Sequence, residues 1–201
     1  MIIVKDLTVE RLDKKIFENI NLSVGSGKII LLKGKNGSGK TTLLKTILNL
    51  IEPSSGKVYW KGKLLKKNLY NFFNHVTYIA DKTSSLSKLS VKENIKIWNK
   101  IFLSNISNSQ VENILKTLKL ENYLNQKVTT LSLGETKKLE LLRLIIENKK
   151  IWILDDPLSN LDNESIDVIA LTFEDHRFKE GSIIFSSHQE SEINVSEEVL
   201  L

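Results

Sequence analysis

Apolar and polar positions alternate along the first 24 residues: Ile3, Leu7 and Val9, then Ile16, Ile20, Leu22 and Val24, with Leu12-Asp13-Lys14-Lys15 as a polar turn between them. A period near two is that of half-buried strands, so this stretch predicts an antiparallel pair. Lys28–Lys33 reads as a short buried strand, followed by a glycine loop and a helix over about 40–50. Lys57–Trp60 and His75–Ile79 predict two further strands, the first ending in a turn at Lys61-Gly62. From about 85 to 148 the spacing becomes helical, through Val111, Ile114, Leu115 and Leu118 and again through Leu139, Leu142 and Ile146. Ser90 is placed to cap a helix running through Ile95, Trp98 and Phe102, with Glu93 as its capping-box partner. Ile151–Leu154 and Ile183–Phe185 are unbroken apolar runs of strand length, as expected of strands covered on both faces. The pattern predicts one α/β domain over 1–201, with a strand-rich N-terminal part and a helical insertion at about 85–148.

Composition narrows this only by exclusion. With 201 residues, 41% hydrophobic and 26% charged, the chain has the makings of a packed core, which excludes a disordered tail, a collagen-like fibre and a disulfide-stapled miniprotein. The absence of cysteine removes disulfides, thiolate metal sites and thiol nucleophiles. No apolar run approaches the ~20 residues of a membrane helix, and Met1–Asp6 reads as neither a secretory signal nor a transit peptide. The net charge of +5 comes from scattered lysines. It suits phosphate-bearing ligands, an anionic membrane surface or nucleic acid, and equally a solvated lysine-rich surface.

Chemistry enters at Gly34-Lys35-Asn36-Gly37-Ser38-Gly39-Lys40-Thr41, which fits G-x-x-x-x-G-K-[ST] directly after a strand and at the start of a helix. The glycines let the chain wrap tightly around phosphate. Successive N–H groups from about Asn36 to Thr42 are expected to point into the loop, joined by the positive end of the helix. Lys40 then reaches the β- and γ-phosphates of ATP, and the Thr41 hydroxyl ligates Mg²⁺. Gly34, Asn36, Gly37, Ser38, Gly39, Lys40, Thr41 and Thr42 are the candidate nucleotide-binding residues. The strand Ile151–Leu154 ends in Asp155, the pattern of a carboxylate that holds Mg²⁺, here expected to act through water. Asp156 follows at once, where a second carboxylate can polarise an attacking water.

Three further segments have bland readings taken singly. Leu131-Ser132-Leu133-Gly134-Glu135 is also a helix cap, Ser159-Asn160-Leu161-Asp162 a turn, and Ile183-Ile184-Phe185-Ser186-Ser187-His188 a strand ending in a structural histidine. In this order and spacing they resemble the signature, D-loop and H-switch of ABC ATPases, a P-loop NTPase family with an N-terminal antiparallel β subdomain and an inserted helical subdomain. Glu10-Arg11, Ile16-Phe17, Leu89–Ile95 and Ser187-His188-Gln189, together with the short length, are similar to the small ATP-binding subunit of the cytochrome c maturation haem exporters, nearly end to end. The chain departs from the family pattern at several places. Arg11 stands where an adenine-stacking aromatic is usual, Asp81 where the Q-loop has glutamine, Leu133 and Glu135 within the signature, and Asp156 where the catalytic residue is glutamate.

The resemblance implies a peripheral ATPase that drives haem export in c-type cytochrome biogenesis. It would sit on the inner membrane, on the cytoplasmic side in a bacterium or the matrix side in a mitochondrion, with integral membrane subunits as partners. It also implies that two copies sandwich two ATP molecules, with Ser132 and Gly134 of one completing the phosphate site of the other, and with Asp156 and His188 as the catalytic pair. Trp98 and Phe102 are either anchors for the membrane partner or ordinary core aromatics. Neither His75 nor His176 has the context of a haem ligand, and no nucleic acid is expected. The remaining alternatives are an ABC ATPase for another cargo such as a drug or lipid, one acting on nucleic acid or the ribosome, and a non-hydrolysing ATP sensor.

Overall fold

The computed structural model describes residues 1–12, 14–188 and 193–201. Strands β1 (Ile2–Arg11) and β2 (Lys14–Val24) form the expected antiparallel pair, from Ile2 opposite Val24 to Arg11 opposite Lys14. The alternation changes phase on the way. Ile2 and Val4 are buried at one end and Leu7 and Val9 at the other, while Ile3 is only half-buried. Register shifts lie between Val4 and Leu7 and again before Val9, with Asp6 at φ 49. An extra residue in the ladder turns the following side chains to the opposite face, which is how the hairpin keeps its apolar face inward while bending.

Strand β3 (Ile29–Lys33) opens the second sheet, while β4 (Ser55–Trp60) pairs with β1 and β5 (Lys63–Leu64) with β4, completing an antiparallel sheet of order β2-β1-β4-β5. Strands β6 (Val76–Ile79), β7 (Ile151–Leu154), β8 (Ser182–Ser187) and β9 (Glu197–Leu200) join β3 in a parallel sheet of order β6-β7-β8-β3-β9. Its inner strands β3, β7 and β8 are buried on both faces, as the apolar runs Ile29–Leu32, Ile151–Leu154 and Ile183–Phe185 require, whereas the edge strand β9 is largely exposed. Ile30, Leu32, Ile153 and Ile184 pack towards α1 (Lys40–Ile47) and the antiparallel sheet. Ile29, Leu31, Trp152, Leu154, Ile183 and Phe185 pack towards α5 (Leu133–Glu147) and α6 (Asn163–Phe178), together with α3 (Val91–Ile101) and α4 (Asn108–Thr117) of the helical stretch. A short helix, α2 (Leu69–Phe73), lies between β5 and β6.

Ser90 caps α3 with both halves of the capping box present, as its spacing from Glu93 predicts. Ser107 with Gln110 and Ser132 with Glu135 repeat the device on α4 and α5. Trp98, at 6% exposure, is a core residue, with the Arg143 guanidinium 5.7 Å from its ring. His176 is buried and stacks on Trp152, ring centroids 3.6 Å apart, and burial pushes its imidazole down to about 4.

Parallel strands share a direction, so their C-terminal ends share an edge. At that edge Lys33 leads into the 34–39 loop, Ile79 leads to Asp81, Leu154 to Asp155 and Asp156, and Ser187 to His188. This is where open α/β sheets hold their ligands.

Candidate active site

The loop after β3 is built around glycine. Gly37 and Gly39 have φ of 83 and 103, and a Cβ on Gly39 would stand 2.8 Å from the Ile16 side chain. A residue with a side chain would be strained at that φ and would have to displace the Ile16 side chain. Helix α1 has no side-chain cap among the described residues, and its ladder opens with Leu43 N–H donating to Gly39 O at 2.8 Å. The amides before Leu43 therefore stay outside the ladder, where the helix end is positive and suited to an anion. Lys40 Nζ donates to Gly34 O at 2.6 Å and Lys35 O at 2.9 Å, which folds the ammonium across the loop. Ser38 Oγ is buried with no hydrogen-bond partner among the described residues. Within the loop Ser38 N–H donates to Lys35 O at 3.1 Å; the other amides ahead of Leu43, the orphaned Ser38 hydroxyl and the lysine fit a polyphosphate.

Asp155 is 3% exposed, and a single oxygen, Oδ1, accepts from Thr41 Oγ1 at 3.0 Å and Ser186 Oγ at 2.8 Å. Thr41 and Asp155 thus arrive together from α1 and β7, a hard oxygen pair suited to Mg²⁺. Asp156 lies beside them with φ 48, a left-handed backbone that aspartate tolerates better than most residues. Its N–H donates to Ser186 Oγ at 2.9 Å, and its Oδ2 lies 3.3 Å from His188 Nδ1. Burial raises the Asp156 carboxyl above its ordinary range, against the opposing pull of His188 and Lys137. One cleft gathers Lys40, Thr41 and Thr42 with Asp81, Asp155, Asp156 and His188, and Ile16, Asn36, Gly37, Gly39 and Ser186 complete its wall.

Ser132 and Gly134 do not line that cleft. Ser132 is the exposed cap of α5, its N–H donating to Glu135 Oε2 at 2.7 Å. Glu135, where the signature usually has glutamine, is thereby the other half of a capping box. The Tyr123 hydroxyl and the Ser132 amide hold its carboxyl below the usual range. A Cβ on Gly134 would stand 2.6 Å from Asn160 O, so glycine lets the start of α5 rest on the turn after β7. Arg11 is exposed at the end of the hairpin, opposite Lys14. Gln189 lies outside the described residues.

Three residues of the site escape the sequence reading. Ser186 bridges the two aspartates, and its position inside the strand segment ending at His188 was the available signal. Lys137 and Glu140 are buried charges on α5, at 6% and 3% exposure, and no motif marks them.

The ABC transporter family model matches residues 17–159, which contain the phosphate loop, the signature segment and the β7 aspartates. The chain belongs to the ABC transporter family. The Cytochrome c biogenesis ATP-binding export protein CcmA of Reclinomonas americana is 33% identical over 201 residues, covering 98% of this chain and 88% of that protein. A solved structure of an ATP-binding protein assigned to ABC transporters, from Pyrococcus furiosus, superposes with a TM-score of 0.85 at 24% identity, over 100% of this chain and 96% of that one. A dimeric ATP-binding cassette in a post-hydrolysis state with ADP and phosphate gives 0.76 at 21% identity, over 94% and 88%. Both solved structures share the fold. Among the described residues no helix is long and apolar enough to cross a membrane.

Proposed function

We propose that this chain is the ATP-binding and ATP-hydrolysing subunit of an ABC exporter serving cytochrome c biogenesis, with haem as the cargo its sequence resemblance implies. The observation that carries the ATPase reading is the convergence of the 34–42 loop, Asp155, Asp156 and His188 on one sheet edge. The kinship with the Reclinomonas americana export protein supports the assignment to cytochrome c biogenesis.

In this reading the amides of Asn36–Thr42 and the Lys40 ammonium bind the phosphates of ATP. Mg²⁺, held by Thr41 Oγ1 and through water by Asp155, would neutralise phosphate charge when bound. Ser186 keeps the Asp155 carboxylate oriented. Asp156 takes the proton of the attacking water as general base, and His188 holds Asp156 and the terminal phosphate in register. Ser132 and Gly134 stand outside the cleft; the family resemblance implies that they complete the site of a second copy and that closure of the pair moves integral membrane subunits. The same resemblance implies a position on the cytoplasmic or matrix face of an energy-transducing membrane.

Lys40→Ala tests the reading. Charge-assisted contacts are the strong ones at such a site, so Mg-ATP binding by calorimetry should fall at least ~100-fold while the circular dichroism spectrum stays unchanged. In the source cell the variant should also abolish haem attachment to c-type cytochromes. Undiminished ATP binding refutes the site; lost binding with normal c-type cytochromes refutes the cargo.

A further inference from the structure

Helix α5 carries a lysine that neither the apolar core nor the solvent explains. Lys137 is 6% exposed, and its Nζ donates to Asp81 O at 3.3 Å and Asp156 O at 3.2 Å, with Asp81 Oδ1 3.8 Å away. A buried ammonium is unfavourable unless its donors are met. Here they are met by the main chain of the two residues that enter the cleft from β6 and β7.

The position of those two carbonyls matters. The β6–β7 ladder pairs Ile79 with Leu154, and Asp155 N–H still donates to Ile79 O at 2.8 Å. Past that bond the two chains part, and Lys137 spans them. Asp156 needs such support, because its left-handed φ of 48 is a conformation that persists only where the surroundings fix it. Its N–H is fixed by Ser186 and its carbonyl by Lys137 and by Ser159 Oγ at 2.9 Å. One turn further along α5, Glu140 accepts from Thr83 Oγ1 at 2.6 Å and from the amides of Ser84 at 2.9 Å and Ser85 at 2.6 Å. The run from Asp81 to Ser85 is thus tied at both ends to the helix whose first turn is the signature.

We propose that Lys137 is a positioning residue of the ATP site, holding the main chain of Asp81 and Asp156 so that the Asp156 carboxylate stands at a fixed place in the cleft. This rests on the reading of that cleft as an ATP site. Lys137 acts through the two aspartates and, among the described residues, makes no hydrogen bond or ion pair with the phosphate loop, so its influence falls on turnover and not on affinity.

The test uses the full chain, present in excess over ATP for single-turnover hydrolysis, with ATP affinity measured separately. Lys137→Met keeps the stem and removes the donors. It should leave the ATP Kd within about threefold and slow hydrolysis by about 10- to 100-fold, the size of effect that a misplacement of roughly 1 Å produces. Lys137→Arg, whose guanidinium can donate to both carbonyls, should recover most of the rate. Lys137→Gln keeps two of the three N–H donors, on a shorter stem, and serves where the methionine variant does not fold; it should fall between the two. A folded methionine or glutamine variant with wild-type turnover overturns the proposal. Loss of affinity and turnover in equal measure, or failure of both variants to fold, also overturns it, because Lys137 is then only structural. Lys40→Ala run alongside keeps the two readings apart: if it binds ATP normally, the site assignment fails whatever Lys137 does.

Discussion

Two adjacent aspartates close β7, and their surroundings give them different work. Asp155 spends one oxygen on two hydroxyls, Thr41 and Ser186, while Asp156 is half-buried against His188. Aspartate has one methylene less than glutamate, which withdraws its carboxylate by about 1.5 Å, one C–C bond. Compensation through the backbone is restricted, because the Asp156 N–H and carbonyl are both held. Asp156→Glu is therefore expected to raise single-turnover hydrolysis, by up to about 100-fold, with ATP affinity unchanged. An equal or lower rate would show a cleft already shaped around aspartate. At this scale the sequence was legible where the chemistry dictates residue type. Glycine, lysine and threonine in the 34–41 loop and an acid at a strand end announce themselves. Ser186 and Lys137 do not, because their partners lie 30 and 19 positions away and only the fold brings them within bonding distance.

Among the elements, the buried strands and the capped α3 were legible and α6 was not. Asp162 caps α6 by accepting from Ser165 N–H at 2.9 Å, and Ile169, Phe173 and His176 bury one stripe. That stripe is narrow, and its last member is a histidine, so apolar spacing alone does not reveal it. Strand β9 was hidden for a related reason: Glu197 and Glu198 are exposed on a sheet edge, and the strand is defined by backbone pairing with β3. The α6 histidine makes a pH prediction. Burial against Trp152 holds His176 neutral down to about 4, below its ordinary value near 6.5. Between those values the unfolded chain binds a proton that the folded chain does not, so protonation favours unfolding there. The contribution of His176 to stability should be level above pH 6.5 and should decline as pH falls from 6.5 towards 4. His176→Phe, which keeps an aromatic ring on Trp152, should flatten that part of the curve in denaturant unfolding at a series of pH values. A decline of unchanged steepness would place its origin in other groups.

For the whole molecule, the sheet order decides which motifs share a cleft. The parallel edge collects the phosphate loop, both aspartates and His188, whereas Ser132 and Gly134 are carried to the start of α5, outside that cleft. The motifs were legible one by one; that they fall into a cleft and a separate surface was not, since it follows from the topology that joins them. The role of Ser132 and Gly134 in a neighbour's site comes from the family resemblance. On that proposed function a single chain would present half of each site, and a productive site would form when the α5 start of one copy meets the phosphate loop of another across bound ATP. The isolated chain should then be monomeric without nucleotide and pair when ATP is bound, and its hydrolysis rate per chain should rise with protein concentration. Asp156→Asn, which removes the base and leaves the loop intact, should accumulate the ATP-bound pair, because the step that separates the copies is stopped. Lys40→Ala should remain monomeric under the same conditions, since it lacks the ligand that joins them. Light scattering with and without Mg-ATP measures both. A chain that stays monomeric with ATP while hydrolysing it at a rate independent of protein concentration would show that the cleft is complete in one copy, and the assignment of Ser132 and Gly134 to a neighbour's site would fall.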